Sequence, residues 1–169
     1  MAEKTIEERL QVLEDREAIA RLSYDYGLLC DTGYPVQQIV DMFTDDGAWV
    51  SNILGEFYGK AELTSYYTNI PTIQVWARHH LVNPVIDVDG DEATCRFFMD
   101  VVSTQAGRDG APNVPIILTA TEHVSLRRTP EGWRFVRFDV DIHQMSSLEK
   151  GWVAEPYYID PALSGPSQG

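Results

Sequence analysis

From residue 75 onward the chain reads as strand with little interruption. Four runs rich in β-branched and aromatic residues, 75–88, 93–104, 114–127 and 133–143, follow one another. They are broken by Asp89-Gly90, by Gly107-Arg108-Asp109-Gly110-Ala111-Pro112 and by Thr129-Pro130-Glu131-Gly132. Asp-Gly between β-branched runs marks a hairpin, because glycine tolerates the positive φ of a tight turn, and the other breaks carry the same turn chemistry. A mostly antiparallel sheet is therefore expected. The first third of the chain differs in period. Ile6, Leu10, Leu13, Ile19, Leu22, Tyr26 and Leu29 recur at helical steps, predicting a short leading helix and a longer one, with Asp15 as cap or kink, ended by Asp31-Thr32-Gly33. A second short helix runs from Tyr34-Pro35 through Phe43 and stops at Thr44-Asp45-Asp46-Gly47. Short strands follow at 48–51 and 55–58, and a third helix runs from Gly59 to before Pro71. Helices first and strands after give an α+β fold, with the helices on one face of the sheet.

The length of 169 residues suits one domain, placed at 1–146, and a tail at 147–169 with Pro156, Pro161, Gly165 and Pro166 is expected to be irregular. A net charge of −13 with scattered basic residues argues against a nucleic-acid partner. Apolar runs fall far short of the roughly 20 residues a membrane span needs. The start, MAEKTIEERL, lacks the apolar core of a signal peptide, so a cytoplasmic location is expected. Cys30 and Cys95 have no metal-ligand spacing, and neither a metal nor a cofactor is expected.

Chemistry-bearing residues gather around the stretch 76–93, WARHHLVNPVIDVDGDEA. Adjacent strand residues face opposite sides, so only one of His79 and His80 can look inward. Alternation groups His80 with Trp76, Val82 and Ile86, an apolar set, but a bulge at Asn83-Pro84 would break that count. A histidine here is either a base or a satisfied polar group in the core. Asp31, ending the long helix, either bonds loop amides or orients a histidine. A carboxylate on one ring nitrogen fixes the tautomer and makes the other nitrogen the better base. Asp100, after Phe97-Phe98-Met99, is costly to bury without a partner and is either a pocket acid or a solvated one. Trp49, Phe98 and Trp76 are either pocket walls or core. On an ideal helix Tyr24, seven residues before Asp31, shares its face.

The segments YDYGLLCD (24–31), FTDDGAW (43–49), YGKAEL (58–63), RHHLVNPVIDVDGDEA (78–93) and EGWRF (131–135) together resemble the SnoaL-like branch of the nuclear transport factor 2-like superfamily, across most of residues 5–146. The resemblance implies a cone-shaped α+β barrel, its curved sheet wrapped around the long N-terminal helix with a hydrophobic cavity between. It also implies a homodimer or homotrimer formed through the outer sheet face, here with Arg137, Asp139 and Asp141. In the dehydratase and dehydrochlorinase members a histidine removes a proton and an aspartate at the helix end orients it. That carries over to His79, with His80 as alternate, and to Asp31. Tyr26 holds the place of a pocket tyrosine, and Asp100 roughly that of a pocket acid, with Trp49, Phe98 and Tyr24 as further candidates for substrate contact. The implied activity is a cofactor-independent lyase, dehydratase or isomerase on a hydrophobic oxygenated ring compound, aromatic, polyketide or steroid-like. The same fold also hosts ligand-binding proteins, the assembly-serving β subunits of ring-hydroxylating dioxygenases, and an epoxide hydrolase branch with an Asp-Arg-Asp set. The sequence offers no convincing match to that set, only Arg96 and Asp100 on one strand face.

Overall fold

The computed structural model describes residues 5–107 and 110–158. Met1 to Lys4, Arg108 and Asp109 of the long turn, and Pro161, Gly165 and Pro166 of the tail lie outside the described residues. Helix α1 spans Ile6–Asp31. It opens on a reciprocal cap in which the Glu8 amide donates to Thr5 Oγ1 at 3.1 Å and the Thr5 amide to Glu8 Oε2 at 2.7 Å. The break expected at Asp15 does not occur. That carboxylate is buried and turned sideways, accepting from Arg128 Nη1 at 2.7 Å, Arg128 Nη2 at 2.8 Å and Trp133 Nε1 at 3.2 Å, so it anchors the helix instead of capping it. Ile19, Ser23, Tyr26, Gly27 and Cys30 continue the buried stripe.

Helix α2 is Val36–Val40, and Phe43, expected to close it, instead begins strand β1, Phe43–Ser51. Thr44 to Gly47 lie inside that strand, where the pairing with its neighbour shifts register. Phe43 is fully buried against Phe135 and Tyr67, and that burial outweighs the turn preference of the polar residues after it. Strand β2 is Gly55–Tyr58 and helix α3 is Gly59–Ile73. Pro71 falls within the last turn of α3, where losing one backbone donor does not end the helix.

Strands β3, Gln74–Asp89, β4, Glu92–Gln105, β5, Val114–Thr129, and β6, Gly132–Ser147, are longer than the sequence runs. The sheet order is β2-β1-β6-β5-β4-β3, antiparallel except where β1 runs parallel to β6. The sheet is curved and unclosed, with α1 lying on β3 and α3 on β1. The tail is not irregular throughout. A one-turn helix α4, Gly151–Ala154, leads into a bridge between Tyr157 and Met145.

One irregularity decides which side chains of β3 face inward. Pairing with β4 skips between Val82 and Val85, and Asn83 sits at φ +56°, a left-handed conformation that asparagine accepts more readily than branched residues. Before this bulge the inward set is Ala77, His79 and Leu81; after it, Ile86 and Val88. The alternation that grouped His80 with Trp76, Val82 and Ile86 therefore fails at its last member. The first three are exposed on the outer face.

Candidate active site

The inner face of the sheet and the last turns of α1 enclose a cavity of about 80 Å³, several times the space one water needs. Tyr26, Cys30, Trp49, Tyr66, Tyr67 and His79 are among the side chains that line it. Tyr26 and Cys30, one turn apart, project from α1. Asp31, one residue further, points sideways to β3. A Cβ built on Gly27 would lie 2.8 Å from Leu81 Cδ1 and 3.8 Å from His79 Cβ, so glycine lets the helix lie close on the strand beside the histidine.

That close approach brings Asp31 and His79 together. Oδ1 of Asp31 accepts from His79 Nδ1 at 2.7 Å and from the His79 backbone N–H at 2.9 Å. Arg78 Nη1 stands 3.3 Å from Oδ2. The two side chains are only 5% and 11% exposed, so bulk water screens the pair little. Burial alone would raise the Asp31 carboxyl, but the His79 ring and backbone hydrogen bonds, with the Arg78 charge behind them, outweigh it and hold the group below its usual value. An ionised carboxylate only accepts, so Nδ1 carries the proton in this contact. A neutral ring then leaves the Nε2 lone pair free for a molecule in the cavity.

Tyr26 is buried, its hydroxyl 3.1 Å from that of Tyr67. Burial pushes both phenols well above the usual tyrosine range, which keeps them as O–H donors. Trp49 is buried in the wall against Tyr66, with ring centroids 4.5 Å apart.

Four expected site residues fall elsewhere. Tyr24 is 46% exposed, because the buried stripe of α1 passes through Tyr26, Gly27 and Cys30, and Asp31 reaches β3 from its edge. His80 and Asp100 are register partners on the outer face, both exposed. Phe98 is 40% exposed with the Arg96 guanidinium 5.6 Å above its ring. The parity of β4 puts Phe97, Met99 and Val101 inward and their neighbours outward. Arg96 and Asp100 therefore do not reach the cavity, and Trp76, 50% exposed, is no wall either. On the face expected to form an oligomer, Arg137 pairs with Asp139 at 2.9 Å within the chain.

Sequence reading missed Glu122, Tyr66, Tyr67 and Gln74, all of which line the cavity. Glu122 was legible. The inward set of β5, Ile116, Leu118, Ala120, Val124 and Leu126, is apolar except at that position.

The sequence model of the SnoaL-like domain matches residues 11–139. No curated protein sequence matches the chain. Among solved structures, a protein of Novosphingobium aromaticivorans provisionally named an aromatic ring hydroxylase is 26% identical, with TM-score 0.69, covering 80% of this chain and 94% of its own. A provisional scytalone dehydratase from Novosphingobium aromaticivorans DSM 12444 is 20% identical, with TM-score 0.69 over 88% of this chain and 91% of its own. A hexachlorocyclohexane dehydrochlorinase from Novosphingobium barchaimii LL02 is 18% identical, with TM-score 0.71 over 90% of this chain and 99% of its own. The last two likenesses show the shared fold.

Proposed function

This chain belongs to the SnoaL-like domain family, and from that premise we propose that it is a cofactor-independent lyase, a dehydratase in the first instance, acting on a hydrophobic oxygenated ring compound. The observation that carries the reading is the 2.7 Å contact from His79 Nδ1 to a buried Asp31 carboxylate at the wall of an apolar cavity. In this reading His79 Nε2 takes a proton from a carbon acidified by a neighbouring activating group. Asp31 holds the ring orientation and stabilises the imidazolium that forms. The electron pair left behind moves to form the double bond as the β-oxygen departs, and the imidazolium returns its proton to that oxygen as water. A single base on one wall suits loss of both groups from the same face. Return of the proton to a different carbon of the delocalised anion, with no oxygen lost, gives isomerisation, so the same dyad serves the isomerase reading. The dehydratase and dehydrochlorinase names borne by structures of this fold agree with an elimination.

The test is turnover of a panel of β-hydroxy ring ketones, followed by absorbance of the conjugated product, with wild type, His79→Ala and His80→Ala. Turnover by wild type and His80→Ala but not by folded His79→Ala supports the reading; full activity of His79→Ala sinks it. Co-purification with a larger oxygenase subunit and no turnover would favour the assembly role instead. The epoxide hydrolase reading loses its motivation, because Asp100 faces outward.

A further inference from the structure

Glu122 takes no part in the proton transfer described above, yet it is the least comfortable side chain of the cavity wall. It is 1% exposed, its Oε2 has no hydrogen-bond partner, and no ion pair reaches it among the described residues. A structural acid in a core shows bonded partners, and an orphaned one calls for another explanation. Its neighbours on the inner face of β5 are apolar, so leucine or methionine would fill the position at no polar cost. Glu122 lines the same cavity as His79.

The register gives the separation. His79 pairs with Val101, and Val101 with Leu118; Glu122 lies four residues beyond Leu118, opposite Phe97. Two strand spacings and four residues of rise amount to roughly 10 Å across and 13 Å along a flat sheet. Both side chains reach into the same cavity, so the span between their polar atoms is shorter than the backbone separation. A ligand touching both groups presents its reacting carbon at one end and something for Glu122 at the other.

We propose that Glu122 binds an uncharged oxygen, a carbonyl or hydroxyl, at the end of the ring substrate remote from His79. This rests on reading His79 as the reactive end. Burial pushes the Glu122 carboxyl well above the carboxylate range, so it offers an O–H donor together with a carbonyl acceptor. The titratable groups coupled to it are Tyr26, Cys30 and Cys95, none of them cationic. A ligand carboxylate would find no counter-charge at this end, whereas a neutral oxygen satisfies the orphan. The substrate class narrows accordingly to fused-ring compounds oxygenated at both ends.

The probes are 1-tetralone and tetralin, which differ by one carbonyl, titrated against wild type, Glu122→Gln, Glu122→Leu and His79→Ala by quenching of tryptophan emission. Wild type should prefer the ketone about tenfold, the worth of one modest hydrogen bond. Glu122→Gln, whose amide also donates and accepts, should keep that preference, as should His79→Ala. Glu122→Leu should lose it while binding tetralin at least as well. Should Glu122→Leu fail to fold, Glu122→Met carries the same comparison. An unchanged ratio in the apolar variant, or no preference in wild type, overturns the proposal. So does tighter binding of 1-aminotetralin than of the ketone, which would assign the position to a cation. The two readings fail separately. Loss of turnover in His79→Ala with an unchanged ratio in Glu122→Leu removes only this inference, and the converse removes only the elimination.

Discussion

At the residue scale the centre of the molecule is one histidine held by one aspartate. In the proposed elimination His79 is the general base, and removing such a group costs typically 10² to 10⁴ in rate, so His79→Ala should lose at least a hundredfold in kcat on any substrate that wild type turns over. Its circular dichroism should stay native. Asp31→Asn keeps the shape but offers an amide where the ring needs a carboxylate, and it should lose kcat more than KM. His80→Ala should leave both parameters unchanged. The resemblance points to Asp31 and His79 together, and alternation alone does not choose between the two histidines. Asp100 and Phe98 show the same difficulty from the other side. Each looked like a pocket residue by type, and a one-residue parity on β4 turned both to solvent. Glu122 shows the reverse. Parity on β5 is readable there, but no motif surrounds this acid in its otherwise apolar inward set to mark it as part of a site.

At the element scale two features set the parity and pose of everything in the site. The bulge at Asn83 rotates β3 so that His79 and Ile86 share a face despite their odd spacing. Deleting Asn83 should force either His79 or the Ile86–Val88 pair outward, and the expected outcome is loss of a cooperative urea transition. Asn83→Gly should be nearly neutral, while Asn83→Val should cost about 1–3 kcal/mol for a branched residue held at positive φ, read from the same transition. Helix α1 is pinned in its first half by Asp15, whose oxygens accept from Arg128 and Trp133. Asp15→Asn leaves the guanidinium half-satisfied and should destabilise by about 2 kcal/mol, measured by chemical denaturation. The helix itself was plain in the sequence; its continuity through Asp15 was not, because an aspartate in mid-helix reads as a cap until its partners more than 100 residues away are in place.

At the scale of the whole molecule the buried acids pull stability in opposite directions with pH. Asp15 and Asp31 are held below the ordinary aspartate value of 3.8. For Asp15 the leading cause is the Arg128 hydrogen bond; for Asp31, histidine and arginine contacts overcome the opposing burial. Their contribution is present above 3.8 and is lost as pH falls through the lower folded values. Glu122 is the converse case. Raised by burial well above 4.5, it binds a proton in the folded state that the unfolded chain has released, so its linkage lowers stability as pH climbs from 4.5 toward the folded value. Thermal melts should show the advantage of Glu122→Gln over wild type growing across that interval, and an advantage that does not change with pH would contradict the burial argument. The sequence by itself determined the α+β class, the helices-then-strands order, the hairpins and the residue types available for chemistry, because helical period, strand composition and turn residues act over a few neighbours. Tertiary structure alone decided which histidine faces the cavity, that Asp15 anchors instead of interrupting, and that Glu122 is left without a partner. Each of those depends on a bulge, a register or a contact between strands far apart in the chain, and no local preference records it.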